Sequence, residues 1–278
     1  MRDAALQSLA VGFFDGVHLG HQAILKGADA ALTFRNHPLT VLAPEKAPRL
    51  IMSVEDRVAA IKACGVKDVT VLDFTQELAE MPAEEFVHRH VQGGKVFCGG
   101  NWRFGKGGAG DAAFLRKMGI VAEVVPYAEY KGERISSSRI RAALERGKIG
   151  DANSMMGRKF KIRGSSFKGK GLGKEIGYPT VNLELSALDL GLPFGVYEVE
   201  AEGRKAIANY GLAPTMGDKA WSSPALEMHI LHSTPTPSTC TSDSTEVEFV
   251  RFIRPERKFD SLEDLKRQIA ADCATIAS

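Results

Sequence analysis

The spacing of apolar residues changes character near residue 150, and this change limits what the chain can fold into more than any other feature. Before it, short apolar runs alternate with helical signals. Residues 9–13, 30–34, 69–74, 95–98 and 120–125 read as strands, and 18–26, 83–91 and 111–118 as the helices between them. Ser53 opens a further helix in a capping arrangement with Asp56. Val54, Val58 and Ile61 mark its buried face, and Gly65 follows its end. Strands alternating with helices at this spacing need crossover connections, which make a parallel sheet.

After residue 150 the period becomes two. Segments 195–201 (G-V-Y-E-V-E-A) and 245–252 (T-E-V-E-F-V-R-F) alternate apolar and polar residues. Such strands have one buried and one wet face, which predicts an antiparallel sheet. Ser261 then caps a final helix with Leu262, Leu265 and Ile269 on one face, while 234–244, rich in Ser, Thr and Pro, reads as a loop. A chain of 278 residues has room for two domains of about 130 each. The boundary is expected within 152–157, giving domains 1–153 and 154–278.

Composition excludes several classes. Apolar residues at 44% and charged residues at 25% rule out a disordered or collagen-like chain. The longest apolar runs stop well short of the ~18 residues of a membrane span, and no secretory signal is visible, so no membrane partner is expected. Twenty basic against 17 acidic residues up to Gly150, then 16 against 17, give halves of +3 and −1. Neither has the basic excess of a nucleic-acid binder, so no nucleic-acid partner is expected. Cys64, Cys98, Cys240 and Cys273 are scattered and read as free thiols in a reducing cytoplasm. A monomer or weak homo-oligomer is expected.

The first chemical signal is F-D-G-V-H-L-G-H at 14–21, between the first strand and first helix. In parallel α/β sheets ligands bind at the carboxyl ends of strands, and a helix N-terminus there suits phosphate. Gly16 and Gly20 permit close backbone approach. His18 and His21, three apart, share a helix face and can stabilise charge developing on an α-phosphate. A second signal, I-S-S-S-R-I-R at 135–141, offers hydroxyls and arginines at another helix start. A third is the glycine-rich loop 100–110, with Asn101 and an aromatic pair.

In the second half, 158–174 holds seven basic residues, no acidic ones and four glycines, and reads as a flap over nucleotide phosphates. It leads into G-Y-P-T-V-N at 177–182. Thr180 and Asn182, two apart on an extended segment, project to one side and offer hard oxygen ligands for Mg²⁺.

Taken in order, these motifs resemble the bacterial bifunctional riboflavin kinase/FAD synthetase family. F-D-G-V-H-L-G-H, the R-F-G loop and I-S-S-S-R-I-R resemble its adenylyltransferase half. G-Y-P-T-V-N, Gly195-Val-Tyr197, Asn209-Tyr-Gly211, Pro214-Thr215, Glu227-Met-His-Ile-Leu231 and the 252–261 segment resemble its riboflavin kinase. The resemblance implies an α/β plus β architecture. A Rossmann-like parallel nucleotidyltransferase domain would precede an antiparallel β-barrel kinase domain with a terminal helix. It implies that riboflavin is phosphorylated to FMN with Mg²⁺ and ATP, and that AMP is then transferred to FMN, giving FAD. By the same resemblance Gly16, Gly20, Asn101, Ser137, Ser138, Arg141, Gly169, Gly171 and Lys174 contact ATP or phosphate, beside His18 and His21. Asn36, His37, Arg103, Phe104 and Arg254 contact flavin, Thr180 and Asn182 hold the metal, and Glu227 is the general base.

Three features depart from the family pattern. Only eleven residues separate His21 from Thr33, about the minimum for a parallel crossover. Asn36 stands where the family has proline, and 234–244 replaces a D-L-Y-G-like turn. The first two flank the flavin side of the adenylyltransferase and leave an alternative open, a riboflavin kinase whose other half is weak or inactive.

Overall fold

The structure is a computed structural model that describes residues 8–91, 93–167, 172–185, 191–212, 224–231 and 245–277. It divides into two compact units, Met1–Ile140 and Arg141–Ser278.

In the first unit, β1 (Ser8–Val11), α1 (Leu19–Leu25), β2 (Ala30–Phe34), α2 (Leu39–Leu42), α3 (Val54–Ala63) and β3 (Asp68–Leu72) come in succession. Next are α4 (Gln76–Glu80), α5 (Ala83–His90), β4 (Lys95–Gly99), α6 (Ala112–Lys117) and β5 (Val121–Val125). A hairpin of β6 (Glu129–Tyr130) and β7 (Glu133–Arg134) leads into α7 (Ser137–Glu145). The five large strands form a parallel sheet in the order β3-β2-β1-β4-β5. Leu9, Val11, Leu32, Phe34 and Val96 face one apolar cluster with Phe86 and Leu115. Ala10, Ala31 and Phe97 face a second cluster with Leu25 and Ile61. Alternate residues of the central strands are thus apolar on both faces, as a doubly covered sheet requires.

The strand order reverses at β1, between β2 and β4. Beyond the carboxyl ends of the strands flanking such a point lies the crevice where ligands bind. The short first crossover closes with a two-turn α1 and an immediate turn at Gly27, whose φ of 93° suits glycine. α3 differs from expectation. Val54 and Val58 are only half-buried, whereas Arg57 has no exposed surface. Its guanidinium donates to the carbonyls of Phe34 (2.5 Å) and Arg35 (3.1 Å) and lies 4.2 Å from the Phe13 ring centroid. Both bonds come from Nη2, while Nε and Nη1 are buried with no hydrogen-bond partner among the described residues, so the guanidinium is held by two carbonyls and the face of the Phe13 ring.

The second unit contains α8 (Ile149–Met156), β8 (Phe160–Phe167), α9 (Leu172–Glu175), β9 (Val181–Leu185), β10 (Gly195–Ala201), β11 (Arg204–Leu212), β12 (Pro224–Ile230), β13 (Thr245–Pro255) and α10 (Leu262–Ala277). Six strands close an antiparallel barrel in the order β10-β11-β12-β9-β8-β13. Tyr197, Phe249, Leu226, Met228 and Leu183 fill its interior. Burial of the Tyr197 ring in that interior pushes its hydroxyl well above the ordinary phenol range. α8 belongs with this barrel, because Asn153 donates to the Phe249 carbonyl at 2.9 Å and accepts from Phe160 N at 2.7 Å.

Two expectations change here. The described residues 160–167 of the expected 158–174 flap are strand, and 168–171 lie outside the described residues. Phe160–Phe167 is a barrel strand, and its basic residues are paired across the sheet. Lys161 and Arg163 reach Glu246 at 2.9 and 3.3 Å, and Lys159 reaches Glu200 and Glu248. Cross-strand pairing with β13 on the wet face accounts for Lys161 and Arg163 in β8, and Lys159 is paired just ahead of it. In α10, Ser261 accepts from Asp264 N at 3.1 Å as a cap, but Leu262 is 52% exposed. The helix docks instead through Ile276 and Cys273 against Val196 and Ile207. The 234–244 loop lies outside the described residues.

Candidate active sites

The first site forms where β1 ends. Phe14 and Val17 take positive φ (57° and 36°), turning the chain sharply before α1. Asp15 is buried and accepts from Ile51 N through both oxygens (3.0 and 3.2 Å). Its carbonyl accepts the Ser137 hydroxyl at 2.8 Å, which fixes the start of α7 to the β1–α1 turn. Gly16 is held because a Cβ there would meet Ile51 at 2.9 Å.

His18 is the N-cap of α1 rather than part of the helix, and its Nδ1 accepts from His21 N at 3.2 Å. That bond needs Nδ1 unprotonated, so the neutral ring carries its N–H on Nε2. The two imidazoles stack with centroids 3.6 Å apart, and Phe14 packs edge-on against His21. The expected shared face is therefore realised as a capped stack. Gly20 belongs to it, since a Cβ would lie 3.2 Å from the His18 ring.

Beyond β4, Asn101 Oδ1 accepts from Arg134, whose guanidinium lies 3.6 Å from the Tyr127 ring centroid. Arg139 donates to the carbonyls of Tyr130, Glu133 and Arg134, fastening the β6–β7 hairpin. The 100–110 loop is ordered by reciprocal backbone bonds between Phe104 and Gly110. Two of the residues expected at flavin are otherwise engaged. Phe104 is 6% exposed and packs among Trp102, Phe86 and Phe114, with Gly110 too close to carry a side chain. Asn36 bridges to the backbone of Phe74 in both directions and donates to Thr40, bracing the ends of β2 and β3. His37 packs edge-on to Phe13 at 4.8 Å, and Arg103 donates to the Trp102 carbonyl.

The second site lies on the outer face of the barrel. Along β12, Leu226, Met228 and Ile230 point inward, so Glu227 and His229 point out. Glu227 pairs in register with Asn182 of β9 on one side and Asn209 of β11 on the other, so the three share one face. The Thr180 hydroxyl donates to Glu227 Oε1 at 2.8 Å. A hydroxyl, an amide and a carboxylate therefore converge, an oxygen set that fits Mg²⁺. Arg254 is anchored to the terminal helix. It is committed in a two-pronged bond to Asp272 of α10 (2.7 and 2.9 Å to Oδ2), and Asp272 is only 3% exposed. Gly169, Gly171 and the Lys174 side chain lie outside the described residues.

Two family models match the chain in succession, FAD synthetase over residues 2–139 and riboflavin kinase over 156–278. The bifunctional riboflavin kinase/FMN adenylyltransferase of Escherichia coli (strain K12) is 32% identical, covering 95% of this chain and 90% of its own. The chain belongs to the bifunctional riboflavin kinase/FMN adenylyltransferase family. The enzyme of that name from Bacillus subtilis (strain 168) is 30% identical over 97% of this chain and 91% of its own. A crystal structure described as a macrolide-efflux protein from Streptococcus pneumoniae superposes with a TM-score of 0.86 at 26% identity, covering 99% of this chain and 95% of that one. Among the described residues no helix is long and apolar enough to cross a membrane.

For this member of the riboflavin kinase/FMN adenylyltransferase family, the first unit brings Gly16, His18, Gly20, His21 and Ser137 together around the β1–α1 turn. The second brings together Thr180, Asn182 and Glu227. Sequence reasoning passed over Asp15, Arg57, Arg134, Asn209 and His229. Asp15, Asn209 and His229 stand inside the motifs of the resemblance, so the signal was present without a role attached. Arg57 has none, because a lone arginine in an amphipathic helix reads as solvated.

Proposed function

We propose that this chain makes FMN from riboflavin and ATP in its second unit, and FAD and pyrophosphate from FMN and ATP in its first. The observation that supports this most strongly is that each of two successive family segments contains its own preorganised polar cluster. The adenylyltransferase is proposed for 1–153 and the kinase for 154–278, with α8, which spans that boundary, packing on the kinase barrel.

In the kinase, Glu227 is the general base. One carboxylate oxygen accepts from Thr180, and the other remains to orient the ribityl 5′-hydroxyl and take its proton as the γ-phosphoryl group arrives. Thr180 and Asn182 would hold Mg²⁺, which when bound neutralises charge on the phosphates. In the adenylyltransferase the FMN phosphate is itself the nucleophile, so the protein supplies position and field. His18 and His21 direct N–H groups toward the α-phosphate, and Ser137, Ser138, Arg141 and Asn101 hold the remaining phosphates. His37 and Arg103 line the flavin side, where Asn36 and Phe104 support the walls. In the kinase Arg254 contacts flavin from its anchorage on Asp272, and Gly169, Gly171 and Lys174 contact ATP. The enzyme works in the cytoplasm as a monomer or weak homo-oligomer.

Incubation of purified protein with FMN and Mg-ATP tests the first-unit assignment. FAD and pyrophosphate are expected in equal amounts. Phosphorylation of riboflavin without any FAD from FMN would overturn it in favour of a kinase with an inactive partner domain.

A further inference from the structure

Glu227 is one of two outward residues of β12 that reach the Thr180 segment. The other is His229, two positions on. Its Nδ1 bonds the Pro179 carbonyl at 2.8 Å, and the Tyr178 ring packs edge-on against it at 5.3 Å. A carbonyl only accepts, so Nδ1 is the donor, which neutral Nδ1–H and protonated imidazole both provide. The residue carrying the metal-side hydroxyl is thus pinned twice by one strand. Glu227 takes its side chain, and His229 takes the carbonyl of the peptide unit that leads into it. The other side of this segment is closed by Gly173. Tyr178 N donates to the Gly173 carbonyl at 2.7 Å, and a Cβ on Gly173 would lie 2.4 Å from the Tyr178 carbonyl and 3.0 Å from the Thr180 hydroxyl. Side chains two apart on a strand share a face, so this geometry follows from placing histidine at the position after the base-bearing pair.

We infer that His229 is a positioning residue for riboflavin phosphorylation, a latch on the Pro179 carbonyl that holds the Thr180 hydroxyl where Mg-ATP needs it. The inference rests on the kinase reading above. It makes His229 a partner of a ligand rather than a ligand, and removing such partners commonly costs ten- to a hundredfold in affinity or activity. The loss falls on the nucleotide rather than on the flavin, because the latch acts through Thr180.

The experiment compares wild type, His229→Ala and His229→Asn in steady-state phosphorylation of riboflavin, with FMN adenylylation by the same preparations as the internal control. Asparagine places an amide N–H about where Nδ1 stands, so it restores the bond without the ring. The inference expects His229→Ala to raise KM for Mg-ATP about tenfold, with KM for riboflavin and the adenylylation rate within twofold. His229→Asn should return KM for Mg-ATP to near the wild-type value. A wild-type KM in His229→Ala, or a His229→Asn enzyme no better than the alanine variant, overturns it. If the alanine variant does not fold, His229→Asn decides alone: a near-normal KM supports the latch, and a raised KM contradicts it. Wild-type protein that makes no FMN at all would instead sink the kinase reading, a distinct result.

Discussion

The Thr180 hydroxyl donates to the Glu227 carboxylate across 2.8 Å, joining the residue ahead of β9 to the middle of β12. The carboxylate is on the outer face and its interior neighbours are untouched by substitution. Glu227→Gln is therefore expected to leave the barrel folded and keep an acceptor for Thr180. Loss of the base should lower the rate of riboflavin phosphorylation by about 10²–10⁴. Chromatographic measurement of FMN checks this. A variant with the normal rate would show that another group takes the proton.

His18 has two tasks that substitution can separate. As N-cap it accepts from His21 N, and as an imidazole it stacks on His21. Asparagine keeps a capping oxygen, whereas alanine removes both functions at a cost of about 1 kcal/mol in stability. Both variants should form FAD more slowly, by about 10²-fold if the ring stabilises the transition state. Only His18→Ala should also melt earlier. Equal FAD rates in His18→Asn and wild type would confine His18 to capping.

Arg57 tests the core of the first unit. Burial lowers its pKa from the ordinary arginine value, while Asp15 and Glu55 oppose that shift. Its hydrogen bonds to Phe34 and Arg35 hold the end of β2, where Asn36 and His37 begin. Arg57→Ala loses charged hydrogen bonds and leaves a cavity, for an expected loss of about 3 kcal/mol. Urea unfolding followed on the first unit measures it. A change below about 0.5 kcal/mol, the range of ordinary surface substitutions, would contradict the buried-brace reading.

Glu246 gives the barrel a pH signature. Burial raises its pKa, but bonding and charge from Lys161 and Arg163 outweigh this and hold it below its ordinary 4.5. A carboxylate depressed on folding contributes stability above its unfolded pKa and loses it as pH falls through the folded value. Barrel stability should therefore fall with acidification below about 4.5. Glu246→Gln should shallow that slope and leave stability unchanged below the transition. Thermal melts of both proteins from neutral to acid pH test it. Parallel curves would rule out a contribution from this group.

The parts of the fold that were legible in the sequence are those decided locally. β2 falls at the expected 30–34, and the Ser53 and Ser261 caps form as their spacing requires. The motif at 14–21 lies beyond β1, where the strand order reverses. Illegible parts depend on partners distant in the chain. Phe104 in a glycine-rich loop looks the same facing a ligand or a core, and only the return of Gly110 makes it core. Arg254 finds Asp272 through the docking of α10, Lys161 and Arg163 of β8 find Glu246 on β13, and Lys159 just ahead of β8 finds Glu200 on β10. Barrel register sets those neighbours, and register is a property of pairs of strands.

The central claim is that one chain runs both reactions. A time course with riboflavin and Mg-ATP, with the flavins separated by chromatography, tests it most directly. The account predicts that FMN appears first and that FAD follows from it as FMN declines. FMN that accumulates without FAD, or riboflavin that stays unchanged, would contradict it.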